Sequence, residues 1–414
     1  MNGRGEVERI LSSRPIPDGF PTSAILPDHS GYSISAVPSL ICRALGIDDV
    51  APARLEGIDV PNVDRIVFLI VDGFGYRSLE RLRAEGSLPT IDALVERGQY
   101  LPLTSVFPST TVAALATLAT GLSPLEHGMI GYRLYLREVA GITNMIRFSL
   151  VGANHTASAI AAGLDPDKLL PEPTFYERLH ERNVATHVLL PRAIAGSGLS
   201  AILYRGCTRV HPTSSIADMC VAAREILNDA HGKTLLTLYW PGLDSVAHVR
   251  GPRSDAYVAE ARAVDAAIDR ELCGRLDRTL LLITADHGFV PMSPADYVPL
   301  SDLDRLDEEA LLPPVGEPRA SYLYLRHGAA PMNDEPRLLR SGILRLTAER
   351  AVTSGLLGEG RAHPEIERRL GDLVLASTGA AGVIHPYPNA AVLRGMHGGL
   401  SEDEMLVPLI AAAL

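Results

Sequence analysis

The stretch Val106–Gly128, VFPSTTVAALATLATGLSPLEHG, places three consecutive hydroxyl residues directly before an apolar segment. The Ala- and Leu-rich segment predicts a helix that ends at Gly121. Ser109, Thr110 and Thr111 would then lie at the N-terminus of this helix, where free backbone N–H groups and the helix dipole favour a phosphate-like anion. Taken alone, the triplet is more simply explained as a helix cap.

Strand and helix patterns alternate on both sides of this stretch. Arg65–Val71, RIVFLIV, is an unbroken apolar run of the kind that is buried on both faces of a parallel sheet. Further strands are predicted at 100–105, 185–190, 200–204, 233–240, 279–285, 321–325, 372–377 and 390–393, and helices at 37–45, 77–85, 88–97, 175–183, 216–228 and 255–272, with a helix or strand through Leu414. This alternation predicts an α/β fold, a doubly wound and mostly parallel sheet with helices on both faces.

The 414 residues allow one large domain with an insertion. Residues 1–60 are rich in Pro, Ser and Asp, and we expect an N-terminal arm packed on the core, or alternatively a lid or dimer contact. We expect a catalytic core from 61–290 and 350–414. The looser, proline-containing segment 291–349 is predicted to be a small inserted cap.

Composition limits the classes of partner. No apolar run approaches the roughly 18 residues of a membrane span, and the first residues lack the apolar centre of a secretion signal, so we expect a cytoplasmic protein without membrane contact. The net charge of -11 and the lack of a basic run argue against binding of a nucleic-acid duplex. The four cysteines are scattered and predict neither disulfides nor a thiolate zinc site. An anionic substrate would therefore need local positive charge, which a bound metal supplies.

Metal-ligand side chains follow several of the predicted strands. Taken singly, each has an ordinary structural explanation such as a turn, a cap or a surface pair. The carboxyl ends of parallel strands form one crevice, so these groups should converge, and the four-residue spacing of D-S-V-A-H would point its Asp and His the same way on a helical turn. The set is Asp72, Asp244, His248, Asp286, His287 and His397. With a hydroxyl nucleophile, it suits two divalent ions about 3.5–4 Å apart; nitrogen and oxygen ligands favour Zn²⁺, with Mn²⁺ as the alternative.

Six short motifs, in this order, resemble the motif set of the alkaline phosphatase superfamily, most closely its type I phosphodiesterase/nucleotide pyrophosphatase family. They are V-D-G at 71–73, F-P-S-T-T at 107–111, G-L-x-P-x-x-H-G at 121–128, D-x-x-x-H at 244–248, A-D-H-G at 285–288 and H-G-G at 397–399. The similarity spans about residues 64–290 and resumes near 370–410. The resemblance implies that Thr111 is the nucleophile and forms a covalent phospho-enzyme. It also implies one metal held by Asp72, Thr111, Asp286 and His287, and a second held by Asp244, His248 and His397.

One position departs from this family. The asparagine that usually follows the glycine at 131, and holds a phosphoryl oxygen, is replaced by Tyr132, with Arg133 next to it. A tyrosine hydroxyl donates a single hydrogen bond, and Arg133 could add a bidentate phosphate contact; alternatively, Tyr132 packs against the helix with its hydroxyl in solvent. Asn144 or Asn154 could replace the amide.

The remaining candidates are aromatic and histidine residues. Phe74, Tyr76 and Phe175 are aromatic candidates for a leaving-group slot, although core packing better suits Phe175. Three histidines are interpreted as non-catalytic: His155, His211 and His385.

These observations predict a two-metal hydrolase that cleaves a phosphodiester or nucleotide pyrophosphate bond of a small-molecule phosphate ester or phosphoanhydride. The alternatives within the enzyme class are a phosphonoacetate-type C–P hydrolase and a phosphomonoesterase. A cofactor-independent phosphoglycerate mutase fits less well, because that relative uses serine and carries a large insertion soon after the nucleophile. The alternative outside the enzyme class is a metal-stabilised binding protein that has kept the fold.

Overall fold

The computed structural model describes residues 5, 8, 9, 11, 15–29, 31–47, 55, 58–153, 155–329, 336–387 and 393–414. The strands are β1 Arg65–Val71, β2 Gln99–Thr104, β3 Arg133–Leu136, β4 Gly141–Asn144, β5 Ser149–Leu150, β6 Ala185–Pro191, β7 Arg209–Thr213, β8 Thr234–Trp240, β9 Thr279–Thr284, β10 Val290–Pro291, β11 Tyr297–Val298, β12 Val315–Glu317, β13 Ala320–Leu323, β14 Arg337–Leu338, β15 Ile343–Thr347, β16 Leu373–Ser377, β17 Gly382–Val383, β18 Gly395–Met396 and β19 Leu406–Ala413. The α-helices are Val37–Ala44, Tyr76–Ala84, Pro89–Arg97, Thr111–Thr120, Pro124–His127, Ser158–Ala161, Pro166–Leu169, Phe175–Glu181, Gly198–Leu203, Ile216–Asp229, Gly242–Arg250, Asp255–Glu271, Leu306–Glu309, Ala348–Thr353, Ile366–Leu370 and Glu402–Met405.

The main sheet has seven strands in the order β2-β19-β9-β1-β8-β6-β7. Five neighbouring strands, from β9 to β7, pair in parallel, whereas β19 pairs antiparallel with both β9 and β2. The central strands β1, β8 and β9 are almost entirely buried, as their unbroken apolar sequences require. The predicted α/β class with a mostly parallel sheet is confirmed.

The order of the central strands explains why distant residues meet. Asp72 directly follows β1, while Asp286 and His287 follow β9, and the helix that carries Asp244 follows β8. Since β9, β1 and β8 are neighbours that run in the same direction, their carboxyl ends lie side by side.

The chain also forms a second sheet of eight strands, in the order β14-β15-β16-β13-β12-β3-β4-β5. Its pairings are antiparallel. The segment 291–349, predicted as a cap, supplies only four of these strands, and the others come from 133–150 and 373–377. The division of the chain into arm, core and cap therefore stays a prediction.

Most predicted elements agree with the observed bounds within two residues, but one predicted strand is wrong. Residues 200–203 belong to the helix Gly198–Leu203, and Tyr204 is its C-cap residue. The N-cap residue is Ser197, whose side chain accepts a hydrogen bond from the N–H of Ser200. A short apolar run fits a buried helix turn as well as a strand, so the sequence pattern alone could not separate them. The strand predicted at 390–393 lies almost wholly outside the described residues. The C-terminal segment is the strand β19.

The described residues near the N-terminus contribute to the main hydrophobic core, among them Phe20, Ile34 and Leu40. The backbone N–H of Ile25 donates to Leu400 O at 2.8 Å, and Ser33 forms a bridge with Thr104 at the end of β2. Of the helices in the described part of the chain, none combines the length and the apolar character that a membrane crossing needs.

Candidate active site

Six of the predicted metal-ligand residues form two groups at the carboxyl ends of the central strands. Asp72, Asp286 and His287 make one group, and Asp244, His248 and His397 make the other; within each group the ligand atoms lie within 4.8 Å of one another. The rings of His287 and His397 stack with their centroids 3.6 Å apart, so the two groups are neighbours. The expected placement of Asp244 and His248 on one helical turn is confirmed, because both lie in the helix Gly242–Arg250.

Each of the three histidines is held through its Nδ1 atom by a backbone carbonyl. The distances are 2.9 Å from His248 Nδ1 to Gly395 O, 3.1 Å from His287 Nδ1 to Gly288 O and 3.0 Å from His397 Nδ1 to Ser109 O. Since a carbonyl only accepts, Nδ1 carries the proton and donates it. Nε2 of each ring is then the atom left to bind a metal, which is the arrangement that metal-binding histidines adopt.

The carboxylates of the first group each have one oxygen held by the protein and one without a partner. Tyr239 donates its hydroxyl to Asp72 Oδ2, and the backbone N–H groups of Gly73 and His287 donate to Asp286 Oδ1 at 3.1 and 3.0 Å. Asp72 Oδ1 and Asp286 Oδ2 are buried without a hydrogen-bond partner, and they lie 3.5 and 3.4 Å from His287 Nε2.

The carboxylate of the second group has the same kind of orphaned oxygen. Asp244 Oδ1 is buried and has no hydrogen-bond partner of regular geometry. It lies 3.3 Å from His248 Nε2 and 3.7 Å from His397 Nε2. In both groups, the carboxylate oxygens without a partner therefore lie close to the Nε2 atoms of the histidines.

The electrostatics of these groups call for a cation. Burial, followed by the charges of Asp244 and Asp286, raises the pKa of Asp72 well above its usual range, and burial also raises the pKa of Asp286. Burial lowers the pKa of His397, which keeps its imidazole neutral. Unpaired carboxylates this deeply buried are costly unless a positive charge compensates them. The donor set therefore fits a divalent ion in each group.

Thr111 lies at the first position of the helix Thr111–Thr120, with its Oγ1 atom 3.2 Å from His287 Nε2. The preceding Thr110 is the N-cap residue, but its side chain makes no capping hydrogen bond, and its hydroxyl is buried without a partner. The Ser109 hydroxyl donates to Gly399 O at 2.9 Å and accepts from the N–H of Gly398 at 3.2 Å. The simple cap interpretation of the triplet is therefore wrong, because Ser109 anchors the loop that carries His397.

Two glycines of the motifs are required by close backbone approach. A Cβ atom on Gly73, which has φ +74°, would lie 2.5 Å from the Phe289 ring, and a Cβ atom on Gly288 would lie 2.0 Å from Asp403 O. Phe289 in turn packs its ring against all three histidines of the site. These glycines allow the strand ends to approach closely enough for the two ligand groups to form.

A cavity of about 510 Å³ opens beside Thr111 and the Asp244 group. Much of its wall is apolar, from Val112, Ile146, Pro294, Pro318, Ile384, Leu393 and Met396. Tyr132 also lines it, and its hydroxyl accepts a hydrogen bond from Asn144 Nδ2 at 2.6 Å. The guanidinium of Arg133 lies between the rings of Tyr132 and Tyr387, 4.7 and 4.6 Å from their centroids. Tyr132 is thus fixed with its own hydroxyl proton free to donate.

Comparison with known proteins identifies the family. A sequence profile of the type I phosphodiesterase/nucleotide pyrophosphatase family matches residues 66–399. The chain belongs to this family.

Relatives and solved structures agree with that assignment. The chain is 25% identical over 290 residues to an uncharacterised pyrophosphatase/phosphodiesterase of Schizosaccharomyces pombe, covering 68% of this chain and 56% of the relative. It is 25% identical over 247 residues to ectonucleotide pyrophosphatase/phosphodiesterase family member 3 of Rattus norvegicus, covering 57% of this chain and 26% of the relative. The chain therefore spans about half, or less, of the length of these curated relatives.

Two solved structures share the fold. A structure of murine ectonucleotide pyrophosphatase/phosphodiesterase 5 in complex with AMP superimposes with a TM-score of 0.61 at 16% identity, covering 84% of this chain and 88% of that one. Phosphonoacetate hydrolase from Sinorhizobium meliloti 1021, in complex with phosphonoformate, gives a TM-score of 0.62 at 22% identity, covering 85% and 90%. At these identities the two structures show that the chain shares their fold.

Several other predicted site residues of this phosphodiesterase-family chain lie elsewhere. Phe74 is 1% exposed in the main core and does not line the cavity, so its predicted substrate contact is wrong. Tyr76 and Phe175 are also buried in that core. Although Phe74 is only two residues from Asp72 in the sequence, its apolar ring packs into the core instead of facing the cavity. Asn154 lies outside the described residues.

The three histidines interpreted as non-catalytic have different environments. His155 is exposed, and His211 Nε2 lies 3.0 Å from His187 Nδ1 at the edge of the main sheet. His385 is buried, lines the cavity and has Nε2 2.8 Å from Ser321 Oγ. Burial and Arg133 lower the pKa of His385 to about 3, so it is a neutral wall of the cavity at pH 7.

Sequence reasoning missed three buried charged residues around the site. Glu317 lines the cavity with Oε2 3.7 Å from His397 Nδ1, and burial, opposed by His248, raises its pKa to about 8. Arg319 and Glu404 form a fully buried ion pair, 2.6 Å between Nε and Oε1. Single charged residues in short strands and loops carry no periodic signal, so no sequence pattern pointed to them.

Proposed function

We propose that this chain is a two-metal hydrolase that cleaves phosphodiesters or nucleotide pyrophosphates through a covalent phospho-Thr111 intermediate. The observation that carries the proposal is the placement of Thr111 Oγ1 at a helix N-terminus, beside two groups in which unpartnered carboxylate oxygens lie close to imidazole Nε2 atoms. Asp72, Asp286 and His287 would hold one ion, with Thr111 beside them. Asp244, His248 and His397 would hold the other, and Zn²⁺ suits these ligands better than Mn²⁺.

The proposed reaction has two steps, which are attack by Thr111 on phosphorus and hydrolysis of the covalent intermediate. A threonine hydroxyl is a poor nucleophile at neutral pH, and two bound divalent ions would supply the charge that favours its ionisation and stabilises the phosphoryl oxygens. Thr111 Oγ1 attacks phosphorus, the bond to the leaving oxygen breaks, and the leaving group departs with a proton. Water then cleaves the Thr111–phosphate bond and restores the hydroxyl. The backbone N–H groups at the start of the helix Thr111–Thr120 favour the phosphoryl anion throughout.

The cavity supports an ester with an organic group of some size. Its volume of about 510 Å³ and largely apolar wall exceed what phosphonoacetate requires, because that substrate is small and doubly anionic. Among the described residues that line this cavity, Arg133 alone carries a fixed positive charge. We therefore propose a diester or nucleotide pyrophosphate in preference to a C–P hydrolase or a phosphomonoesterase.

Tyr132 takes the position of the family's asparagine in this proposal. Its hydroxyl oxygen already accepts from Asn144, so its proton can be donated to a phosphoryl oxygen. Tyr132→Phe should lower kcat/KM for bis-p-nitrophenyl phosphate about tenfold, because one hydrogen bond to a charged oxygen is lost. Unchanged kinetics in Tyr132→Phe would contradict this role and favour the packing interpretation.

The test of the function uses Thr111→Ala and Thr111→Ser on enzyme reconstituted with zinc. The substrates are bis-p-nitrophenyl phosphate, p-nitrophenyl phosphate, ATP and phosphonoacetate, and metal content is measured in parallel. We expect Thr111→Ala to bind metal and fold but to lose turnover, Thr111→Ser to retain part of it, and wild type to yield a phosphorylated Thr111 peptide on acid quenching. Full turnover after exhaustive chelation, or in Thr111→Ala, would refute the mechanism; no turnover of any substrate would favour the binding-protein alternative.

A further inference from the structure

A second concave surface adjoins the catalytic cavity and shares Pro294 and Leu393 with it. This groove has a volume of about 630 Å³ and runs along residues 250–254 and 291–294. Three arginines line it: Arg250, Arg253 and Arg394. All three are exposed to solvent.

The three guanidinium groups are free to bind a ligand. Among the residues that the structure describes, none forms a side-chain hydrogen bond or an ion pair within 4 Å with these three guanidinium groups. The opposing carboxyl is Asp403, whose pKa is raised by burial, with Arg253 counteracting the rise. The exposed Asp255 begins the adjacent helix. In a chain with a net charge of -11, three unpaired arginines in one groove make a local site for an anion.

The groove is fixed to the metal-ligand elements by backbone contacts. The N–H of Arg394 donates to His248 O at 2.8 Å, and the next residue, Gly395, accepts from His248 Nδ1 at 2.9 Å. Arg250 ends the helix that carries His248. The groove is therefore fixed relative to His248, one of the proposed metal ligands, and it adjoins the cavity beside Thr111.

We propose that Arg250, Arg253 and Arg394 form a subsite for the distal phosphates of a charged leaving group, such as the pyrophosphate released from a nucleoside triphosphate. This inference rests on the proposed function, since it places the leaving group beside the reacting centre. Guanidinium groups bind phosphate oxygens in a bidentate manner, and several in one groove match a chain of phosphates. The apolar cavity then takes the organic group, and the groove takes the charged one.

The experiment compares two substrates that share the transferred group. Thymidine 5′-triphosphate releases pyrophosphate, whereas the p-nitrophenyl ester of thymidine 5′-monophosphate releases a nitrophenol. The measured quantity is the ratio of their kcat/KM values in wild type and in the triple variant Arg250→Gln/Arg253→Gln/Arg394→Gln. Arg275→Gln is the matched control, because it lies beyond the far end of the helix Asp255–Glu271, about 25 Å from the groove.

We expect the triple variant to lower the ratio at least tenfold, and added salt to lower the wild-type ratio while leaving that of the variant nearly constant. Arg275→Gln should keep the wild-type ratio. An unchanged ratio in the triple variant, an equal loss for both substrates, or a wild type that hydrolyses the nitrophenyl ester but not the triphosphate would overturn the subsite and leave the proposed function standing. A wild type that hydrolyses neither these substrates nor bis-p-nitrophenyl phosphate would instead overturn the proposed function.

Discussion

Replacing Arg319 with methionine removes one half of a fully buried ion pair that joins the two sheets at the active site. The guanidinium donates to both carboxylate oxygens of Glu404 at 2.6 Å, and to the carbonyls of Gly379, Ala380 and Ala381 at 2.7 to 3.0 Å. Glu404 in turn accepts from the N–H of Gly399 at 2.8 Å. Because Gly399 is two residues beyond His397, the pair positions a proposed metal ligand.

The energetic cost follows from these contacts. Removing one partner of a buried ion pair typically costs about 3–5 kcal/mol. Glu404 keeps its bonds from Gly399 and from Ser401, so its remaining charge is partly stabilised and we expect a loss near about 3 kcal/mol. Arg224→Met is the matched control, because Arg224 and Glu271 are each 25% exposed, and a pair of that kind contributes at most about 1 kcal/mol.

The assay separates stability from positioning. Urea unfolding should show the loss in Arg319→Met with an unchanged m value. In the double variant Arg319→Met/Glu404→Leu no buried charge is left, so stability should recover in large part. Activity should not recover, because the Gly399 N–H has lost its acceptor; zinc affinity and kcat/KM should stay about 10–100-fold below wild type. A double variant that regains activity together with stability would refute the positioning role, and a single variant as stable as wild type would refute the energetic argument.

Three further perturbations test other parts of the structure. Chelation should lower the unfolding temperature, and zinc at about 100 times its Kd should restore about 2.7 kcal/mol, because the buried carboxylates lose their counter-charge; equal melting of both forms would count against the metal sites. His127 and His363 accept backbone N–H groups at Nδ1, and burial lowers their pKa values to about 3 and about 4. In the unfolded chain these histidines bind a proton near pH 6.5, so their contribution to the free energy of unfolding should be fully present above that pH. As the pH drops towards the folded pKa, the free energy of unfolding should fall by roughly 1.4 kcal/mol per pH unit for each histidine. His127→Gln should reduce this pH dependence as measured by urea unfolding, and an identical pH dependence would contradict the argument. Gly288→Ala should cost at least about 2 kcal/mol, because its Cβ would lie 2.0 Å from a backbone oxygen, whereas Gly196→Ala, with nothing within 4 Å of the added Cβ, is the control.

The central strands of the main sheet could be predicted, because their residue pattern is compatible with only one kind of structure. The run RIVFLIV of β1 is buried along nearly its whole length, and such a run is typical of the centre of a parallel sheet. Once β1, β8 and β9 are neighbours, the polar residues at their ends must meet, which is why Asp72, Asp244 and Asp286 could be grouped before any geometry was known. The fold class and family followed from the same residues.

The second sheet could not be predicted in this way. Its strands are two to five residues long, and β3 pairs with β12 through Gly316 and Arg133, which are far apart in sequence. Short strands carry too few alternating positions to define a face, and long-range pairing leaves no local signal. The helix Gly198–Leu203 was misread for a related reason, since its buried residues form a run too short to show a helical period.

The proposed metal ligands and the residues proposed to set substrate preference come from different parts of the fold. The proposed metal ligands extend from the main sheet, from the helix that follows β8 and from the loop that begins at His397. Tyr132, Arg133 and Glu317, by contrast, come from β3, β12 and the segment before β3, and they line the cavity. Because Gly316 pairs with Arg133, a change in the β3–β12 register would displace Tyr132 relative to Glu317. Substrate preference in this protein should therefore respond to substitutions in the second sheet, whereas metal binding should respond to them through the contacts that connect that sheet to the His397 loop, such as the Arg319–Glu404 pair and Glu317 Oε2 at 3.7 Å from His397 Nδ1.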